Sequence, residues 1–147
     1  MSLENPILLD LPLPIYTERL ISRPVTIGDG KAVFEAIDES RAEFEPWLPW
    51  VNSVKKWQDS EITAREFCSN VILRKAFHFV IIYNANIIGM CSLEDINWNI
   101  SSGGIGYWCR TSATGNGFMQ EAVAAITKYG FEVIKLKKYL FVVMILI

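Results

Sequence analysis

Apolar positions in this sequence fall into two kinds of run. In short stretches nearly every residue is apolar, and in longer ones apolar residues return every three or four positions. The short runs read as strands: FHFVIIY at Phe77 to Tyr83, IIGMCSL at Ile87 to Leu93, IGYWC at Ile105 to Cys109, and YLFVVMILI at Tyr139 to Ile147. The first two are joined across Asn84, Ala85 and Asn86, a link suited to an antiparallel hairpin. The last has no polar break, as in a central strand covered on both faces.

The longer runs read as helices. Val33, Phe34 and Ile37 share a face over Lys31 to Asp38, with Asp29 placed to cap it. Ile62, Phe67, Val71 and Ile72 do the same over Asp59 to Lys75, and Met119, Val123, Ile126, Gly130 and Val133 form a third stripe. A partly alternating stretch, Thr17 to Thr26, predicts a first strand that Pro24 confines to a sheet edge or an irregular end. Pro6, Pro12 and Pro14 make the opening residues an extended lead-in, and Asn97 to Gly104 is a loop by composition. Between the first two helices, EPWLPWV sets Trp47 and Trp50 among prolines, either as a plug in the core or as one wall of a pocket.

Composition sharpens this picture. A chain of 147 residues, 51% of them apolar, suits one domain over residues 1–147 with a real core. A net charge of -2 supplies no field to hold nucleic acid or an anionic membrane, and a basic partner suits it better. Cys68, Cys91 and Cys109 are widely spaced and form no metal-binding cluster, so no metal is expected and a reducing, cytoplasmic setting fits. Met1 to Asp10 lacks the basic start of a secretory leader, and the terminal apolar run is far shorter than the roughly 20 residues a spanning helix needs.

Candidate chemistry concentrates between Ser101 and Val133. There a strand, a loop holding Gly115 and Gly117, and a helix start follow one another. Glycines let backbone approach a ligand, the first helical amides lack internal partners, and the helix dipole adds positive potential, so a phosphate is the natural guest. No Lys-Ser/Thr follows the second glycine as in a nucleotide P-loop, and no GxGxxG with a downstream acidic residue is present. His78 stands alone within an apolar strand and reads as a packed imidazole.

The order TERLISRP, PWLPW, an apolar hairpin carrying IIG, and then GIGYWCRTSATGNGFMQEA resembles the GNAT superfamily of N-acetyltransferases. Within it, the resemblance is to the branch containing the Rim-type ribosomal-protein N-terminal acetyltransferases. It covers about Thr17 to Phe141 and is most specific from Gly106 to Ala122. It implies an α+β, three-layer fold with a mixed, mostly antiparallel, centrally splayed sheet flanked by helices. It also implies acetyl-CoA as co-substrate and direct transfer to an amine. The acceptor implied is a ribosomal-protein N-terminus of the Ala/Ser kind, with a small-molecule amine or a non-catalytic coenzyme-A-binding remnant as alternatives. By position, the backbone of Trp108, Cys109 and Arg110 would pair with the pantetheine arm. The amides of Gly115, Asn116, Gly117, Phe118 and Met119 would hold the pyrophosphate.

Two departures stand out in that motif. Thr114 replaces a long polar side chain, and Gly104 lies where many relatives carry an acidic residue, which excludes a base there. Glu94, at the end of the strand beside the central one, is the first candidate for the base, with Asp95 the alternative. Cys109 has no accompanying base and is not read as a nucleophile. Trp47 and Trp50 are the candidate substrate contacts. Relatives continue with another helix, often bearing an asparagine and a proton-donating tyrosine, and two more strands. The sequence up to Ile147 has none of these, so the expectation is a truncated fold or one completed by a second copy pairing through the terminal strand.

Overall fold

Asn84 and Ala85 both take positive φ, 47° and 64°, and turn the chain between two apolar runs. Strand β3 (Phe77–Tyr83) thereby pairs antiparallel with β4 (Asn86–Asn97). This computed structural model describes residues 4–144, with side chains through residue 140. Around the hairpin the sheet grows in both directions. Strand β2 (Ile21–Pro24) lies against β3, with the two-residue β1 (Ile15–Tyr16) outside it, and β5 (Ser102–Cys109) lies against β4. Strand β6 (Lys138–Met144) closes the order β1-β2-β3-β4-β5-β6. All neighbours are antiparallel except β5 and β6, which are parallel. A parallel neighbour needs a crossover, and α4 (Phe118–Glu132) provides it.

Alternation along the strands divides the core in two. Phe77, Phe79 and Ile81 of β3, Cys91 and Leu93 of β4, and Ile105 of β5 pack with Phe118, Ala122 and Ile126 of α4. Val80, Met90 and Trp108 point to the other face. There they meet α1 (Gly30–Glu39), the short α2 (Arg41–Phe44) and the region of α3 (Trp57–Ile72). Both faces of the central strands are therefore covered, which is why these strands read as unbroken apolar runs. Each large side chain so buried contributes about 1.5–3 kcal/mol.

Several elements differ from their sequence-based bounds. Only Ile21–Pro24 of the first strand pairs, because Thr17 and Leu20 close a turn (Thr17 N to Leu20 O, 3.0 Å) that folds Ile15–Tyr16 back as an extra strand. Strand β2 is thus interior, and Pro24 is accommodated as its last residue. The loop at Asn97 to Gly104 shrinks, since Ser102 already pairs with Asn97. The terminal strand is not central: among the described residues β6 pairs with β5 alone. That ladder runs from Ser102↔Lys138 to Tyr107↔Met144. The point past Tyr107 where a splay would open, and pairing between copies through the strand end, lie outside the described residues.

Asp29 occupies the N-cap position of α1, yet its side chain makes no cap. It turns back to take both Arg23 guanidinium bonds, at 2.7 and 2.8 Å, and the Thr26 amide. Glu61 of α3 supplies the missing acceptor, taking the amides of Gly28 and Gly30. A carboxylate from one helix thus caps another and locks α1 onto α3.

Candidate active site

Beyond Cys109 the chain makes a short 3-10 turn, Thr111–Ala113, and Thr114 Oγ donates to Thr111 O at 2.8 Å. Gly115 (φ 83°) and Gly117 (φ 74°) take left-handed conformations that a side chain would disfavour, and α4 starts directly after. Glu121 N to Gly117 O, at 3.1 Å, is the first bond of the helix. Among the described residues the amides of Gly115 to Gln120 donate to no protein group. Arg19 braces the loop: it donates to Asn116 O at 3.0 Å, pairs with Glu121 at 2.7 Å, and lies 4.5 Å above the Phe118 ring. The one carboxylate in the first turn of α4 is thereby neutralised. What remains is a row of free amides at a helix start, the donor set that a pyrophosphate needs.

The strand end feeding this loop is held just as firmly. Arg110 pairs with Glu39 at the end of α1 (3.0 Å) and donates to Ile87 O (3.1 Å), while Ser112 N donates to Glu39 at 2.9 Å. The Arg110 hydrogen bond, ahead of the Ser112 amide, draws the Glu39 carboxyl from 4.5 down to about 2. Inside the sheet, a Cβ at Gly89 would collide with the Trp108 carbonyl, so only glycine lets β4 and β5 approach here.

On the α1 and α3 side of the sheet, the same strand end borders a cavity of roughly 420 Å³. Its walls are mainly apolar, with Val33 and Ile37 of α1, Phe67 of α3, Met90 of β4 and Trp108 of β5. Ser92 and Glu94 of β4 are its polar groups nearest the sheet. Glu94 is half-buried and lies across from Gly104, so no side chain from β5 competes for the space. Burial first, then the neighbouring Asp95 charge, raises its pKa above the ordinary carboxylate range. Asp95 is exposed and borders a separate, open cleft that Glu94 also lines.

The structure brings some of the sequence-derived residues together and separates others. Glu94, Trp50 and Trp108 share the cavity, and the Trp108 ring meets Phe44 edge-on at 5.6 Å. Arg110, Asn116 and Phe118 line a smaller cleft near the glycine loop. Trp47 lies outside the cavity and is 70% exposed, and Trp50 is 41% exposed, so neither is a core plug. Leu48 and Val51 take the buried positions of that turn instead. Cys109 faces the α4 side of the sheet, and burial raises its thiol to about 11. Such a thiol is protonated at neutral pH and is no nucleophile.

Other residues of the site were only faintly marked in the sequence. His78 is packed, as expected, and 3% exposed, but in polar company: Nδ1 lies 2.8 Å from Ser92 Oγ and Nε2 3.3 Å from Asn70 Nδ2. The Phe67 ring stacks on it at 3.6 Å. Burial lowers its pKa to about 4, so the imidazole is neutral near pH 7. A strand position between Met90 and Glu94 was the one hint that Ser92 faces the same way. Among the described residues, no group of three or more His, Cys, Asp or Glu is placed to hold a metal ion, and no helix is long and apolar enough to cross a membrane.

Comparison with known proteins bears on this geometry. Among curated proteins, no sequence matches. Several solved structures share the fold. The microcin C7 self-immunity acetyltransferase MccE, in complex with acetyl-CoA and AMP, aligns at 22% identity with a TM-score of 0.72, covering 80% of this chain and 66% of that one. The ribosomal-protein-S5-alanine acetyltransferase from Vibrio fischeri aligns at 20% identity and 0.74, covering 85% and 70%. A ribosomal L7/L12 alpha-N-protein acetyltransferase in complex with coenzyme A aligns at 21% identity and 0.71, covering 80% and 67%. The chain therefore spans about two thirds of the length of these proteins. The model of the acetyltransferase (GNAT) domain matches residues 19–145, from the arginine that braces the glycine loop to the strand beside β5. A strand, a loop of free amides and a helix start, set in a mixed sheet with that match over most of its length, place the chain in the GNAT acetyltransferase family.

Proposed function

We propose that this chain transfers the acetyl group of acetyl-CoA directly to an amine, and that the amine is the N-terminus of a protein of the ribosomal Ala/Ser kind. One observation carries the reading: β5 serves two sites at once. Trp108 lines the cavity, and the strand continues within seven residues into the row of free amides at Gly115 to Gln120. A donor thioester lying along the backbone of Trp108, Cys109 and Arg110, with its pyrophosphate on the amides of Gly115 to Met119, would end where the cavity begins.

Acetyl-CoA supplies an activated acyl group, and the chain supplies placement and a base. Glu94 takes the proton of the attacking amine, its raised pKa bringing it closer to that of an acceptor working near neutrality. The new C–N bond forms as the thioester C–S bond breaks. Coenzyme A leaves as a thiolate, and thiols have pKa values near 8.5, so water protonates it without a dedicated acid. Three free cysteines accord with a reducing, cytoplasmic setting.

A small-molecule amine is the second reading, favoured by the apolar walls and modest size of the cavity. Calorimetry with acetyl-CoA, followed by transfer assays on Ser- and Ala-initiated peptides beside a panel of simple amines, separates the cases. Peptide turnover at least tenfold above the simple amines is expected, and the reverse order selects the second reading. Binding without transfer to any acceptor leaves a coenzyme-A-binding remnant, and folded protein that fails to bind at millimolar acetyl-CoA defeats all three.

A further inference from the structure

A buried serine and a buried histidine bond to each other on the side of the sheet that holds the mainly apolar cavity. Ser92 pairs in register with His78 of β3 on one side and with Gly106 of β5 on the other. Exposures of 6% and 3% make this polar pair costly to desolvate, and apolar residues of similar shape would fill the same space at little loss. Its geometry suggests what it is for. The Asn70 amide donates to Nε2, so Nδ1 carries the hydrogen and donates to Ser92 Oγ at 2.8 Å. The Phe67 ring, stacked within 9° of parallel, fixes the imidazole plane. With one lone pair of Ser92 Oγ taken by His78, the hydroxyl keeps a second, and Ser92 lines the cavity.

Glu94 lies two residues further along the same strand face, about 6.7 Å away at Cα by strand geometry. Both side chains line the one cavity, so a nitrogen seated between them would face both acceptors. Resting on the acetyl-transfer reading above, we propose that Ser92 and Glu94 together form a two-point acceptor for the two N–H bonds of a neutral primary amine. The site thereby selects primary amines over N-alkylated ones. Each acceptor takes one N–H, which leaves the nitrogen lone pair as the third direction, free for the acetyl carbon. On attack the C–N bond forms and the C–S bond breaks. The N–H proton on the Glu94 side passes to its carboxylate, and coenzyme A departs as thiolate. An N-methyl amine offers one N–H and must leave one acceptor empty. Ser92 touches the substrate in this arrangement, and His78 is a positioning residue that acts through it. The imidazole carries no proton in the step.

The test compares a primary amine with its N-methyl counterpart, using an Ala-initiated peptide against the N-methyl-Ala peptide and benzylamine against N-methylbenzylamine. Sites built to bond a substrate N–H reject analogues lacking it by up to about 10⁴-fold, so a wild-type preference of at least about 100-fold in kcat/KM is expected. Ser92→Ala should lose about 10- to 100-fold on the primary amine and under about threefold on the methylated one, collapsing the ratio. Ser92→Thr should restore it. His78→Phe, which can keep the stack on Phe67, should lower the ratio in the same direction. Acetyl-CoA binding by calorimetry should be unchanged in all of these. Thermal melting identifies variants that fail to fold, and Ser92→Cys carries the comparison if Ser92→Ala does so. A Ser92→Ala ratio equal to wild type, or an equal loss on both substrates with acetyl-CoA binding intact, overturns the two-point acceptor alone. Folded wild type that transfers acetyl to no amine overturns the parent reading as well.

Discussion

Glu94 lies in the cavity because β4 runs on past the hairpin register into a bulge between Glu94 and Asn97, and because the facing position on β5 is Gly104. A half-buried carboxyl with a raised pKa ionises only above the ordinary carboxylate range, and below that point it is no base. The acid limb of kcat/KM should therefore fall at a pH above the usual 4.5 of a glutamate. Glu94→Gln should reduce kcat by about 10²- to 10³-fold and flatten that limb. A variant with an unchanged limb would move the base elsewhere. This position was readable in the sequence as an acidic residue at the end of an apolar strand beside the central one. The partners of His78 were not: Asn70 sits on α3, Ser92 lies fourteen residues beyond His78, and only pairing and packing bring them together. Which of Trp47 and Trp50 reaches the cavity was unreadable for a related reason: Trp50 lines it and Trp47 does not. In a tight 3-10 turn, Leu48 and Val51 are the pair three apart that turns inward, and no strand or helix period marks such a turn.

At the scale of elements, the order and kind of the strand, loop and helix within residues 102–132 were legible, since glycine, helix period and apolar run each have a local cause. Their bracing was not. Arg19 and Glu39 come from distant parts of the chain and fix the two ends of this unit. The close approach of β4 and β5 at Gly89 is the most sensitive point. Gly89→Ala places a methyl against the Trp108 carbonyl, which backbone must move to relieve. A loss of about 1–3 kcal/mol in urea unfolding is expected from such overpacking. Displacement of the strand end should also weaken acetyl-CoA binding measured by calorimetry. Unchanged affinity in a destabilised variant would separate the strand end from the donor site. The extent of β5 was underestimated because Ser102, Gly103 and Gly104 look like loop residues, yet the antiparallel partner β4 recruits this stretch into the ladder.

Across the whole molecule, Glu39 joins the helical layer to the segment leaving β5, through Arg110 and the Ser112 amide. Its carboxyl pKa lies below the unfolded value, so the stability it contributes is present above about 4.5 and is lost as pH falls toward about 2. Glu39→Gln should be less stable than wild type at pH 6, and the two urea midpoints should converge as the pH approaches 2. Parallel curves over that range would show that the ion pair contributes nothing to folding. The layering itself was legible in outline: the uninterrupted apolar strands already implied cover on both faces. The edge position of β6 was not, because an apolar run records that faces are covered and says nothing of how many neighbours a strand has.

On the proposed reading, the donor side of the site would come from one run of chain within residues 102–132, whereas the cavity roof is assembled from α1, the Pro49–Ser53 turn and α3. Acceptor preference and donor binding are therefore separable inheritances: the roof can diverge between relatives, or be exchanged in a chimera, while the machinery that presents the acetyl group stays as it is.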